Sequence, residues 1–155
     1  MSSLGRTVLL WMIPVNLLLI AWVWFGRFLF GVAGWFLLIY LLTVVPVLLM
    51  GLLISTILAY SQPGRPRALT GPQAAAQLTV WGGMFAVGLL TPDYGDTPES
   101  AKSVLTQVFG YSDGLYDLSY LLTSIAAVLT VAAWMVLVVT LTAGRRSHDL
   151  VTQRS

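Results

Sequence analysis

The sequence predicts an all-α integral membrane protein built as a four-transmembrane-helix bundle, and three observations carry that prediction. Four charge-free stretches, residues 7–26, 28–64, 68–92 and 118–144, are each long enough to cross a bilayer, since about 20 apolar residues cover about 30 Å of hydrocarbon. Hydrophobic residues make up 57% of the 155 and charged residues only 9%, a balance foreign to a soluble domain. The few charges are sorted: five of the six acids fall within residues 93–117, and six of the eight basic residues fall on what would be the opposite side. The runs are continuously apolar, without the period-two alternation of a barrel strand, so they read as helices. The whole chain, 1–155, reads as a single membrane domain.

Span 1 is expected at about 8–25, with Pro14 near its start and Asn16, the only asparagine in the chain. Its end is too bulky for a signal-peptidase site, so it reads as a retained span. A tight connection at Gly26 and Arg27 leads past Gly31 and Gly34 into span 2, at about 35–60. Pro46 lies near the middle of that span and predicts a bend around residues 44–46, because proline removes one intrahelical hydrogen bond. Pro63, Gly64, Arg65, Pro66 and Arg67 then break the chain. Pro72 suits the first turn of span 3, at about 73–90. Span 4 is expected at about 118–143, closed by Gly144, Arg145 and Arg146. Residues 91–117 form the loop between spans 3 and 4, and residues 144–155 form a polar tail expected to be disordered.

Arginine and lysine in short loops set orientation. With both termini cytoplasmic, Arg6, Arg65, Arg67, Arg145, Arg146 and Arg154 share the cytoplasmic face, which carries a net +5 against −3 outside. The expected topology is therefore N-in, C-in. Trp22, Trp24, Phe25, Phe28, Phe30, Trp35 and Phe36 crowd the first outer turn, where amphipathic rings favour the interface. Arg27 among them is expected to extend its charge into the headgroups.

In the outer loop, Thr97, Pro98 and Glu99 read as a helix start. Ala101, Val104, Leu105, Val108 and Phe109 share one face before Gly110 ends it. A short amphipathic helix over the outer mouth of the bundle is the expectation. The acids of this loop are weak candidates for a metal site, with Asp93 paired to Asp96 or Asp113 to Asp117 as hard oxygen ligands. The spacing is too sparse for an EF-hand, however, and a solvated acidic loop is the plainer reading. Asp93, Asp96 and Glu99 are also the candidates for docking a protein partner.

The deep positions of all four spans carry no ionisable residue, which argues against a proton-coupled carrier and a voltage sensor. There is no cysteine, and the sole histidine, His148, lies in the tail. No cofactor is predicted, and no basic run suggests nucleic acid. What the spans offer is packing chemistry. Ser119, Thr123, Ala126, Thr130 and Ala133 form one small-residue stripe, and Ala75, Thr79 and Gly83 form another, so spans 3 and 4 are expected to pack together or to form a homo-oligomer contact. Asn16 calls for an interhelical partner, with Gln77 or Thr43 as candidates.

Paired cysteines, a membrane glutamate and intramembrane histidines would each mark a familiar four-span class, and this sequence has none of them. Seven arginines against one lysine suggest a GC-rich bacterial source. The leading expectation is a non-catalytic accessory or assembly subunit of a larger complex in the plasma membrane, with lipids and another membrane protein as partners. The alternative is a small oligomeric channel or carrier, with Thr79, Thr123, Thr130 and Asn16 along a polar path. An enzyme is disfavoured because no base–nucleophile pair is visible.

Overall fold

Helix forms within each apolar run in a computed structural model, and in the first and last spans it extends beyond the run. The structure describes residues 3–32, 34–62, 67–94 and 101–152, with backbone alone from 145 onward. Among the described residues there are six α-helices: α1 (Ser3–Phe25), α2 (Trp35–Leu42), α3 (Val44–Tyr60), α4 (Gly71–Leu90), α5 (Val104–Phe109) and α6 (Asp113–Thr152). A 3₁₀ turn, Gly26–Phe30, follows α1 and ends at Gly31, whose φ of 72° is open to glycine without a steric penalty. Four helical segments are long and apolar enough to cross a membrane: Ser3–Phe30, Trp35–Tyr60, Gly71–Leu90 and Asp113–Gly144.

Local chemistry explains most of the ends. Span 2 is divided into α2 and α3 at Thr43, three residues before Pro46. Proline offers no N–H to the Leu42 carbonyl and its ring crowds that turn, so the break falls one turn upstream. Thr70 caps α4 in a reciprocal capping box with Gln73, and Pro72 sits in the first turn. The helix between spans 3 and 4 begins at Val104, under a Ser103 cap that accepts from the Thr106 amide at 3.1 Å. The start expected at Thr97, Pro98 and Glu99 lies outside the described residues.

α6 corrects two expectations. It does not close at Gly144, and the tail expected to be disordered continues as helix to Thr152. A glycine inside a helix costs only about 1 kcal/mol relative to alanine, too little to stop a long helix when no proline follows. At 1.5 Å per residue its 40 residues extend about 60 Å, twice the hydrocarbon thickness.

α4 lies between α1 and α6, and α3 closes the fourth corner by touching both of those helices. Two apolar clusters fill the interior. One joins Val8, Leu9, Met12, Ala59, Ala74, Leu137 and Leu141 near the chain termini. The other joins Leu19, Ile20, Val23, Leu52, Val80 and Met84 toward the opposite end. The spans contribute unequally. In their most apolar windows, 39% of spans 1 and 3 is buried but only 6% of span 2.

Span 2 is held instead by hydrogen bonds along its length. Trp24 Nε1 donates to the Leu37 carbonyl at 3.0 Å and Trp134 Nε1 to that of Gly51 at 3.1 Å. Asn16 Nδ2 donates to Thr56 Oγ1 at 3.2 Å, Tyr60 Oη to the Leu9 carbonyl at 2.8 Å, and Gln62 Nε2 to the Leu141 carbonyl at 2.8 Å. In a bilayer lipid tails are as apolar as leucine, so helices gain little from burying leucine against each other, and polar clips and close packing do the joining.

Close packing is clearest at Gly83. A Cβ there would stand 1.9 Å from Thr130 Oγ1 and 3.4 Å from the Ala126 carbonyl oxygen, so the glycine lets α4 and α6 touch. The rest of that α4 stripe is turned elsewhere. Ala75 and Thr79 are exposed, and α4 buries Gln73, Ala76, Gln77, Val80, Met84 and Gly88 instead. An apolar span has no polar face to mark its outside, so four-residue spacing alone does not identify the inner face.

Candidate functional site

Two polar constellations are built into this helical frame. The first lies where α1 turns back toward span 2. Arg27, in the 3₁₀ turn, is fully buried, and so is Asp93, which follows Pro92 just past the end of α4. Their side chains form an ion pair, with Arg27 Nε 3.4 Å from Asp93 Oδ2. The guanidinium lies over the ring of Tyr40 at 4.7 Å and beside Phe36 at 5.9 Å, where the ring quadrupoles attract a desolvated cation. Arg27 Nε, Nη1 and Nη2 and Asp93 Oδ2 make no hydrogen bond among the described residues.

The other carboxylate oxygen is fully used. Asp93 Oδ1 accepts from the Phe36 amide at 3.0 Å and from the Tyr94 amide at 2.9 Å. It thereby caps the first turn of α2, whose own N-cap residue, Gly34, has no side chain to do so. Gly34 is required by the approach: a Cβ there would stand 2.3 Å from the Tyr94 carbonyl oxygen and 2.7 Å from Asp93 Oδ1. The Asp93 backbone pairs with Lys102 in an isolated antiparallel bridge, at 2.7 and 2.9 Å, and its carbonyl accepts from Tyr116 Oη at 3.4 Å. One aspartate therefore fastens the 3₁₀ turn, α2, the segment leading to α5, and α6.

This geometry corrects two expectations. Arg27 does not reach headgroups, because it is enclosed by Phe36, Tyr40 and Asp93. Asp93 is not solvated, because its carboxylate faces inward beside Arg27 and accepts from two amides. Asp96 and Glu99 lie outside the described residues. Asp113 and Asp117 are exposed on the first turns of α6, and Asp113 Oδ1 accepts from Tyr111 Oη at 3.1 Å. That hydrogen bond raises the Tyr111 phenol above the ordinary value near 10. Among the described residues no three carboxylates or imidazoles gather as a metal site would need.

The second constellation surrounds Asn16, midway along α1 and only 4% exposed. Its Oδ1 accepts from Trp81 Nε1 at 2.8 Å and Gln77 Nε2 at 3.3 Å, and its Nδ2 donates to Thr56 Oγ1 at 3.2 Å. One amide so ties α1 to α3 and α4. Gln77 is among the partners anticipated for it. Thr43, the other anticipated partner, does not reach Asn16: its hydroxyl donates to the Ile39 carbonyl one turn back. Thr56 and Trp81 were not foreseen, although Trp81 stands one helical turn beyond Gln77 and so faces the same way.

On α6, Ser119 is buried, with its hydroxyl 2.9 Å from the Leu115 carbonyl and 2.8 Å from Ser103 Oγ, its one proton going to one of these two oxygens, so that it joins the α5 cap to the helix. Thr123 Oγ1 is buried without a hydrogen-bond partner among the described residues, while Ala126, Thr130 and Ala133 are half-buried. Thr130 faces Gly83, Thr79 is exposed, and Asn16 lies between α1, α3 and α4. Within one chain these residues do not meet on a common path.

No family model matches this chain, and neither a curated protein nor a solved structure matches it.

Proposed function

We propose that the chain is a multi-pass protein of the plasma membrane, with both termini cytoplasmic, serving as a non-catalytic accessory or assembly subunit of a larger membrane complex. The observation that carries this reading is the position of span 2. It contributes little to the apolar interior beyond Leu52 and Ala59, yet it is fixed in place by hydrogen bonds with two other helices, α1 and α6. The result is a rigidly presented apolar face, with Leu42 at 68%, Val47 at 71% and Ile57 at 57% exposure. At the Arg27 end, Val108 and Phe109 of α5 add exposed apolar surface outside the spans. Both surfaces suit contact with a second membrane protein, and the sorted charges support the orientation.

Gentle extraction of the tagged protein from its native membrane, followed by native mass spectrometry, tests the reading. Discrete companions at fixed ratio are expected. Leu42→Trp and Ile57→Trp should release them without lowering the Tm, since lipid rearranges around an added ring and a fitted protein surface does not. A bare monomer or a closed homo-oligomer would defeat the accessory reading in favour of the channel or carrier. In that case Thr123→Val and Thr130→Val should abolish flux in liposomes.

A further inference from the structure

A cleft between α1 and α3 opens sideways into the hydrocarbon and has donors at its floor that nothing accepts. It encloses about 280 Å³ and is walled by apolar side chains such as Ile13, Leu17, Leu49 and Leu53, with Asn16 and Thr56 as its polar residues. Hydroxyls within helices ordinarily donate to a carbonyl three or four residues back, which satisfies them without a solvent. Between Thr7 and Thr142, the helical serines and threonines do so, with Thr56 and Thr123 as the exceptions among the described residues. Thr56 Oγ1 accepts from Asn16 and, among the described residues, donates to nothing. Asn16 uses one of its two N–H groups in that bond, and its oxygen is already saturated by Gln77 and Trp81. The cleft therefore offers two free donors, the Thr56 hydroxyl and the second Asn16 N–H, against one remaining lone pair on Thr56 Oγ1.

We propose that this cleft binds a membrane-dissolved carbonyl compound of the quinone type, its ring oxygen accepting from Thr56 Oγ1 and Asn16 Nδ2 and its tail lying on the apolar surfaces of α1 and α3. Depth excludes the commoner lipids. Asn16 lies about 20 Å along α1 from Ser3 and about 14 Å from Phe25. The ester and phosphate oxygens of a glycerolipid stay at the headgroup level, whereas a neutral ring carbonyl on an apolar tail enters the hydrocarbon. Size excludes a partner helix as the better occupant. The walls run over residues 13–20 and 49–56, about two turns or about 10 Å each, which suits a ring and is too short for a helix–helix seam. An apolar cleft with a few converging polar groups is a usual form of a small-molecule site. This inference stands apart from the accessory reading, whose test uses Leu42 and Ile57 outside the cleft.

Equilibrium binding of a radiolabelled 1,4-benzoquinone with a decyl tail to the full chain in phosphatidylcholine nanodiscs tests it. Saturable binding of one molecule per chain is expected, weakened at least tenfold by Thr56→Val and kept within threefold by Thr56→Ser. Met50→Trp, on the exposed rim, should remove saturable binding by filling the mouth, and it gives a second reading if Thr56→Val fails to fold. A decylbenzene without carbonyls should bind at least tenfold more weakly than the quinone. Non-saturable uptake, equal uptake by wild type and all three variants, or equal binding of the decylbenzene would each overturn the proposal. So would loss of a co-purifying protein from Met50→Trp without any quinone binding, which would put a partner helix in the cleft.

Discussion

Removing Asp93 tests how the Arg27 end is held, and its size can be worked from the geometry. At 3.4 Å, with an effective dielectric constant of about 20, the gross attraction between Arg27 and Asp93 is about 5 kcal/mol. Desolvation of both ions offsets much of that, so the intact pair contributes little net stability. Removing one member is different, because the other is left buried and uncompensated, at a cost of about 3–5 kcal/mol. Asp93→Asn keeps an oxygen for the Phe36 and Tyr94 amides and loses the charge. Asp93→Ala also leaves those two amides unpaired and should cost a further ~1–3 kcal/mol. In the double variant Arg27→Met with Asp93→Asn no lone charge remains, so the loss should be no greater than that of either single variant. Reversible unfolding in mixed micelles titrated with sodium dodecyl sulfate, followed by helical circular dichroism, reads the wild type, Arg27→Met, Asp93→Asn, their double variant and Asp93→Ala. A loss below about 1 kcal/mol for Asp93→Asn, or strictly additive losses in the cycle, would refute the reasoning.

At the α4–α6 contact, Gly83→Ala should cost about 1–3 kcal/mol, because its Cβ meets Thr130 Oγ1 at 1.9 Å, and adding Thr130→Ala should restore much of it. The neighbouring Gly82→Ala meets nothing within 4 Å and should be neutral or stabilising by under about 1 kcal/mol in the same unfolding assay. Asn16→Leu removes three interhelical hydrogen bonds and strands Gln77 and Trp81 as donors. At roughly 0.6 kcal/mol each it should cost about 2 kcal/mol of unfolding free energy. The cysteine-free chain allows an orientation test with single cysteines. In whole cells an impermeant maleimide should label Lys102→Cys and leave Arg6→Cys untouched, and the reverse pattern would invert the proposed topology.

The four spans were legible because length and apolarity are local properties that each stretch of sequence carries by itself. The break in span 2 was legible for the same reason, since Pro46 acts on its own turn. Asn16 was recognisable as a residue in need of partners, because a lone amide amid leucines has nowhere local to satisfy four hydrogen-bonding positions. Its actual partners were only half visible. Gln77 could be guessed from depth, but the choice of Thr56 over Thr43 depends on how α3 is rotated beyond the break.

The sequence by itself determined that four apolar helices form, where they are interrupted, and how the charges divide between their ends. Only the tertiary structure decided which of their faces meet. It turned Ala75 and Thr79 outward and Gly83 inward, and it buried Arg27 against Asp93, 66 positions away, where each alone resembled an ordinary interfacial charge. The physical reason is that hydrocarbon outside the bundle is as apolar as the interior, so hydrophobic periodicity, which orients helices in water, carries no such information here. Rotation about each helix axis is settled instead by a few hydrogen bonds, the Arg27–Asp93 ion pair and the approach of small residues. Those contacts exist only between segments far apart in the chain.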